Sequence, residues 1–212
     1  YEFKESFTSS TDGPMLHLPW GFGRFDMRAG HGPYRFSQGQ GLKLDEASCI
    51  GPKKWTILIE VKINRVNTLR QIVGSDAWST DGLYVDKKLL RWNPDVDGLK
   101  CESRVQHWKW HQFGLTRSSD GTLSIYHNGY RCAQGKSKNK DGYVLDPHDV
   151  NFLHGTRSTS TSGILRRIRM WNTDKGVSDM AELAGCKLPT EADDACKATI
   201  IYNAPYSNHR YS

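Results

Sequence analysis

The segment 110–129 constrains the fold more than any other part of the chain. Apolar and polar residues alternate on either side of Asp120-Gly121. Alternation with a period of two residues predicts β-strands with one buried face, and an Asp-Gly pair supplies the positive φ that a tight hairpin turn requires. Asn128-Gly129 marks a second turn. The segment therefore predicts a β-hairpin in a mostly antiparallel β protein. Its alternating apolar residues are Phe113, Leu115, Leu123 and Ile125.

The same hairpin resembles a known signature. Its first strand begins at Trp110-His111 and ends in Thr116-Arg117, and after the Asp-Gly turn its second strand ends in Tyr126-His127-Asn128-Gly129. In these residues the chain resembles the central hairpin of laminin G-like domains, which belong to the concanavalin A-like lectin and glucanase superfamily together with the pentraxins. The resemblance implies an all-β fold, a two-sheet antiparallel β-sandwich (jelly roll), and places Trp110 in its core.

Further strands follow from alternation and turn signals. In the segment 55–63 every second residue is Trp, Ile or Val, so one face of this strand should be buried. We also predict a strand pair from 34–36 and 41–44 about a Gln-Gly turn, and a C-terminal helical turn that begins at an N-cap, Ser178, and stops at Gly185. Other predicted strands span 71–74, 82–85, 89–92, 151–154 and 163–172, with loops at 95–101 and 134–141.

Length and composition favour one sandwich-sized domain over residues 1–212. We expect an irregular N-terminal wrap at 1–33, a core sandwich at 34–184 and a disulfide-bracketed tail at 185–212. The chain begins at Tyr1, which suggests a mature or trimmed form, and no apolar run approaches the roughly 18 residues of a membrane span. The net charge of +6 favours an anionic partner, although a basic surface also serves solubility alone.

The five cysteines predict an oxidising compartment, and hence a secreted or cell-surface protein. Cys101 and Cys132 flank the central hairpin and could bridge, while Cys186 and Cys196 bracket a short loop. Cys49 is then left over, either buried and free or paired with another chain. The alternative is five reduced thiols in a cytosolic protein.

Arg166-Arg167 forms the centre of the densest positive site in the sequence, with Arg169 and Arg157 nearby. Laminin G-like relatives often have an acidic pair at this point. Because a guanidinium presents a planar fork to sulfate, phosphate or carboxylate, the cluster predicts an anion-binding patch. The alternative is a solvated strand face that pairs with carboxylates of a neighbouring strand. Two aromatic side chains complete the predicted ligand site: Trp78 and Trp92.

The resemblance also implies a rim calcium site, since laminin G-like and pentraxin domains often bind Ca²⁺ through loop oxygens. Asp76, Asp81 and Asn93 are the candidate ligands. Turn capping by these residues is the alternative explanation.

The sequence lacks the motifs of several enzyme classes. Glucanases of this superfamily need paired carboxylates from a Glu-x-Asp-x-x-Glu strand, and Glu60 stands alone. Gly-x-Ser-x-Gly and His-Glu-x-x-His are absent. His107 and His111 are too far apart along a strand to chelate one ion, and we expect them at the surface or an edge. The basic and aromatic segment 107–111 would suit nucleic acid, which we rank below other partners.

These observations predict a non-enzymatic recognition or adhesion module that binds a glycan, perhaps anionic, or an extracellular protein. Two alternatives stay open. One is a carbohydrate-active enzyme with a diverged carboxylate pair. The other is a structural interaction domain tethered to a partner through Cys49.

Overall fold

A computed structural model describes residues 33–44, 53–75, 81–93, 99–136, 150–156 and 158–185, with Leu145 and the backbone of two short N-terminal strands. For Asn93 only the backbone is described. The rest of the predicted N-terminal wrap, the cysteine-bracketed tail and part of the predicted site lie outside these residues, while the two short strands inside the wrap each join one sheet. The predicted residues outside them are Cys49, Asp76, Trp78, Arg157, Cys186 and Cys196.

In the described part of the chain, two packed antiparallel sheets of seven strands each form, which confirms the predicted β-sandwich. The front sheet has the order β12-β11-β10-β5-β14-β3-β2, and the back sheet has the order β1-β4-β13-β6-β7-β8-β9. The elements in chain order are β1 (Leu16–His17), β2 (Arg24–Phe25), β3 (Tyr34–Phe36), β4 (Leu42–Leu44), β5 (Trp55–Ile63), β6 (Arg70–Gly74), β7 (Gly82–Asp86), β8 (Leu89–Asn93), β9 (Lys100–Arg104), β10 (Trp110–Arg117), β11 (Thr122–His127), β12 (Tyr130–Lys136), β13 (Val150–Phe152), β14 (Gly163–Trp171) and α1 (Val177–Leu183).

The core lies between the two sheets, and β5 contributes most to it. The alternating residues of β5 all enter the core, as the sequence predicts: Trp55, Ile57, Ile59, Val61 and Ile63. Burying five such side chains contributes on the order of 10 kcal/mol before conformational entropy is subtracted. The strand lies at the centre of the front sheet, between β10 and β14.

The structure confirms the predicted central hairpin and its Asp-Gly turn, and it shows the register. Leu115 faces Ile125 across β10 and β11. In the turn between them Gly121 has a φ of 86°, and the Asp120 carboxylate accepts hydrogen bonds from the Ser118 hydroxyl and the Thr122 amide. These bonds, with the Ser118 hydroxyl first, hold the pKa of Asp120 well below its usual range. The turn chemistry thus fixes the register locally.

The predicted pairing of 34–36 with 41–44 is wrong, because β3 belongs to the front sheet and β4 to the back sheet. The Ser37 amide donates to Gln40 Oε1 at 2.8 Å, and Gly39 takes a φ of 83°. This tight turn carries the chain across the sandwich. All apolar side chains of both strands therefore reach the core from opposite sides.

Three element boundaries also differ from prediction. The expected loops at 95–101 and 134–141 each overlap a strand, since β9 starts at Lys100 and β12 extends to Lys136. The helix starts at Val177 with Gly176 as N-cap, not Ser178, and the Gly176 amide donates to the Asp179 carboxylate at 3.1 Å. The predicted stop at Gly185 agrees with its φ of 75°.

A disulfide joins Cys101 of β9 to Cys132 of β12, as predicted. Each strand forms one edge of its sheet. The bridge therefore ties the two sheets together along one side of the sandwich.

Helix α1 covers part of the outer face of the front sheet. Met180 packs against Leu58 and Tyr126 there. A Cβ at Gly114 would overlap the Met180 methyl group, so the glycine makes room for the helix. The outer face toward the end of β5 at Ile63 has no such apolar cover among the described residues. No helix in the described part of the chain is long and apolar enough to cross a membrane.

Candidate functional site

A β-bulge in β14 places two consecutive arginines on the same side of the front sheet. Leu165 pairs with Val61 and Arg167 pairs with Glu60, which leaves Arg166 as the extra residue. A regular strand would send neighbouring side chains to opposite faces, and a bulge removes that constraint locally. Both guanidinium groups therefore leave the core and lie on the outer face.

Trp110 lies at the centre of this outer face, not in the core as the resemblance implied. The Arg166 guanidinium carbon lies 4.0 Å from the Trp110 ring centroid, and Lys62 Nζ lies 5.0 Å from it. Cations over an aromatic face are attracted by the ring quadrupole. The ring thus holds two cationic side chains in place on the sheet.

We use the name basic face for five cationic side chains of this outer face. Arg166 and Lys62 lie over the Trp110 ring, Lys109 and Arg35 lie near enough to act on Lys62, and Arg167 follows Arg166 in the bulge. Burial lowers the pKa of Lys62, and the nearby positive charges of Arg166, Lys109 and Arg35 lower it further. This shift shows that the cations act on one another. A surface of this kind attracts anions.

Glu60 provides a partial counter-charge. It is only 5% exposed, and its carboxylate lies 3.7 Å from Arg166 Nη1. The alternative we gave for the arginines, pairing with a carboxylate of a neighbouring strand, therefore applies to Arg166. In the described part of the chain, Glu60 thus offsets part of the positive charge of the basic face.

Arg169 lies apart from the basic face. It lines a cleft of about 610 Å³ between β14 and α1, together with Trp171, Lys175, Asp179 and Glu182. Lys175 Nζ lies 5.8 Å from the Trp171 ring centroid. The predicted arginine cluster is thus divided between two places on the outer face, and sequence reasoning missed the tryptophan in the cleft.

Trp92 is not available to a ligand. Its side chain is 2% exposed and belongs to the core between the sheets. Trp92 pairs with Leu83 of β7 in the back sheet, and its ring faces inward. This placement corrects the prediction that Trp92 contacts ligand.

The predicted calcium site does not assemble from the described residues. Of its three ligands only Asp81 has a described side chain, and it is exposed. Within the described ranges no three histidine, cysteine, aspartate or glutamate side chains lie close enough to hold a metal ion. Calcium binding stays a prediction.

Two histidines form a buried chain that the sequence analysis did not anticipate. His111 Nδ1 lies 2.8 Å from His127 Nε2, and His127 Nδ1 hydrogen bonds to the Ser103 hydroxyl. His111 is 5% exposed and His127 2%, which corrects the expected surface position of His111. Burial lowers the pKa of both, that of His127 to about 3, with a further contribution from His111.

The comparisons with known proteins establish the fold. Neither a protein-family model nor a curated protein sequence matches the chain. Among solved structures, the ligand-binding domain of botulinum neurotoxin serotype D, in complex with N-acetylneuraminic acid, is similar, with a TM-score of 0.63 and 15% identity over 82% of this chain and 47% of the toxin chain. Our chain therefore spans about half the length of that toxin domain.

A second similar structure is domain 4 of AbnA, a GH43 extracellular arabinanase from Geobacillus stearothermophilus, in complex with arabinotriose. It has a TM-score of 0.63 and 12% identity, and the match covers 87% of this chain and 96% of that domain. Both similarities define the class of protein as a two-sheet β-sandwich. The narrower resemblance to laminin G-like domains stays a prediction.

Proposed function

We propose that this protein is a non-enzymatic recognition module that binds an anionic glycan on the basic face. The observation that carries the proposal is the basic face itself. Arg166 and Lys62 lie over the Trp110 ring, Lys109 and Arg35 act on Lys62, and the buried Glu60 carboxylate lies beside Arg166. The similar structures contain N-acetylneuraminic acid and arabinotriose, so this type of sandwich occurs in sugar-binding proteins. The disulfide supports a secreted or cell-surface location.

The arginines suit a carboxylate or sulfate group for a geometric reason. A guanidinium offers parallel N–H donors that match two oxygens of such a group. Arg166 is held between the Trp110 ring and Glu60, so it loses little conformational freedom when a ligand binds. The basic face is therefore organised before the ligand arrives.

A glycan array that includes sulfated and sialylated sugars tests the proposal. We expect binding to anionic glycans, and we expect Arg166→Ala with Arg167→Ala to weaken it about tenfold or more, since a hydrogen bond to a charged group contributes roughly 1.5–3 kcal/mol. Lys53→Ala is the control, because this exposed lysine lies at the opposite end of β5 and removes a positive charge from elsewhere. If all variants lost the same amount of affinity, we would conclude that binding depends on overall charge and not on the basic face.

The array run with calcium and then with chelator tests the predicted metal site. Binding that chelator abolishes would support a rim calcium site, and binding that persists would leave the basic face as the ligand site. An extracellular protein partner becomes the better explanation if no glycan binds. A pull-down with wild-type protein and the double arginine variant would then test whether that partner contacts the same face.

The cleft beside α1 supports a second candidate, a site for a neutral saccharide. The Trp171 ring provides a flat apolar surface, and charged side chains around it could hydrogen bond to hydroxyl groups. We expect Trp171→Ala to abolish binding of neutral oligosaccharides without affecting anionic ones. Measurable hydrolysis of an oligosaccharide, lost on Asp179→Asn or Glu182→Gln, would favour the enzymatic alternative.

A further inference from the structure

A second positively charged site lies at the rim of the sandwich, outside the basic face. A pocket of about 590 Å³ opens there between the loop after β5, the turn between β7 and β8, and the loop before β10. We call it the rim pocket. Its lining includes two buried valines and four cationic or titratable side chains: Val66, Val105, Arg65, Lys88, Arg104 and His107.

Backbone hydrogen bonds fasten the three loops to one another. The Lys88 amide donates to the Val66 carbonyl at 2.7 Å, and the Val105 amide donates to the Lys88 carbonyl at 2.7 Å. The Trp108 amide donates to the Ile63 carbonyl at 3.0 Å. The pocket is therefore built on a cross-linked backbone, and its side chains project from fixed positions.

The backbone at this rim adopts conformations that non-glycine residues seldom take. Arg65 has a φ of 55°, Lys87 of 48°, Lys88 of 70° and Trp108 of 54°. The left-handed region costs an L-residue about 1 kcal/mol, and such costs concentrate at functional sites. Asparagine or glycine would fit these positions better, yet the chain has long cationic or aromatic side chains there.

The cations of the rim pocket have no ion-pair partner in the described part of the chain. Arg65, Lys88 and Arg104 form no salt bridge there. The carboxylate nearest in sequence to Lys88, that of Asp86, pairs with Arg91 at 3.4 Å. Like charges gathered around one cavity repel each other, and a bound anion relieves this repulsion.

We propose that the rim pocket binds a compact oxyanion, a sulfate or phosphate group with more than one negative charge on a small polar molecule. The cationic side chains contact the oxyanion, and the apolar floor of Val66 and Val105 contacts the carrier. The volume suits a small ligand, since it falls within the usual range for small-molecule pockets. This site is separate from the basic face and does not depend on it.

Calorimetry on the wild-type chain with inorganic pyrophosphate, sucrose octasulfate and sucrose tests the proposal. We expect binding of at least one of the two anions and none of sucrose. Pyrophosphate alone would identify a phosphate ligand, octasulfate alone a sulfated sugar, and both together recognition of the oxyanion itself. Failure of both anions to bind would overturn the proposal.

Variants then separate the rim pocket from the basic face. We expect Arg65→Asn with Arg104→Gln to weaken binding of the effective anion about tenfold or more, and Lys62→Gln with Arg166→Gln to leave it unchanged. Asparagine is chosen because it tolerates the left-handed conformation of residue 65. If Lys62→Gln with Arg166→Gln weakened anion binding and Arg65→Asn with Arg104→Gln did not, the proposed rim-pocket site would be wrong and the anion would bind at the basic face.

An NMR titration of the wild-type chain tests the same proposal without relying on the correct folding of a variant. In the wild-type chain, amide NMR signals of Val66, Lys88 and Val105 should shift on addition of the effective anion. Signals of β11 should stay in place. Shifts confined to β5 and β14 residues of the basic face would overturn the proposal.

Discussion

The buried His111–His127 pair should make the sandwich lose stability as the pH falls below about 6.5. Burial lowers the pKa of His127 from 6.5 to about 3 in the folded protein. The unfolded chain therefore binds a proton at a pH where the folded chain does not, and the free energy of unfolding decreases as pH falls through this window. Stability is complete above about pH 6.5 and is lost progressively toward pH 3.

The magnitude follows from proton linkage. Each pH unit well inside the window changes the free energy of unfolding by about 1.36 kcal/mol per proton, so His127 accounts for about 2.7 kcal/mol between pH 7.5 and pH 4.5. This figure holds for any folded pKa well below 4.5. His111 contributes in the same direction, because burial lowers its pKa too. A loss of this size is a large fraction of the free energy of unfolding of a small domain.

Urea unfolding between pH 7.5 and pH 4.5 measures the effect. We expect the free energy of unfolding of the wild type to fall more steeply with decreasing pH than that of His127→Gln, by about 1.4 kcal/mol per pH unit. His107→Gln is the matched control, because it removes an exposed histidine and keeps the buried pair. Parallel slopes for wild type and His127→Gln would refute the reasoning.

Two further predictions concern the scaffold. Gly114→Ala should lower the free energy of unfolding by about 1 kcal/mol, because the new methyl group overlaps the Met180 methyl group and that side chain must shift. The same substitution should cost less when Met180 is already alanine, and urea unfolding of the two single variants and the double variant measures the difference. Reducing the Cys101–Cys132 bridge, which spans 31 residues, should lower it by roughly 3–4 kcal/mol, measured by unfolding with and without reductant. A Cys101→Ser, Cys132→Ser variant should respond to reductant less than the wild type does, and an equal response of the two proteins would contradict the prediction.

The local part of the fold could be predicted from the sequence. The central hairpin is fixed by Asp120-Gly121 and by alternation within neighbouring residues, and its register follows from the turn. The register of the hairpin also predicts that the side chains of His111 and His127 lie close together. It places His127 opposite Phe113, two residues from His111, so the two rings share a face. The spacing of His107 and His111 along one strand gives no hint of this contact.

The pairing of β3 could not be predicted in the same way. Apolar alternation in 34–36 and 41–44 shows that both segments reach the core, but not from which side. A hairpin and a crossing between sheets bury the same residues. The choice depends on partners distant in sequence, β14 for the first strand and β13 for the second.

The candidate site combines predictable chemistry with unpredictable geometry. Arg166 and Arg167 are conspicuous in the sequence, yet strict alternation would send one of them into the core. The β-bulge opposite Val61 and Glu60 removes strict alternation at this point, so both arginine side chains lie on the outer face. It depends on the pairing of β14 with β5, which no property of the arginines themselves reveals.

Trp110 shows why the outer face divides into two parts. Where α1 covers the sheet, Leu58 and Tyr126 face the helix and are buried. Beyond the helix the front sheet presents Lys62 of β5 and Trp110 of β10 instead, and the tryptophan is covered by cationic side chains. An aromatic residue at an uncovered position would otherwise expose apolar surface to water. The cations cover the ring while keeping their charges accessible, so the feature that protects the sheet from water is also the one that attracts an anion.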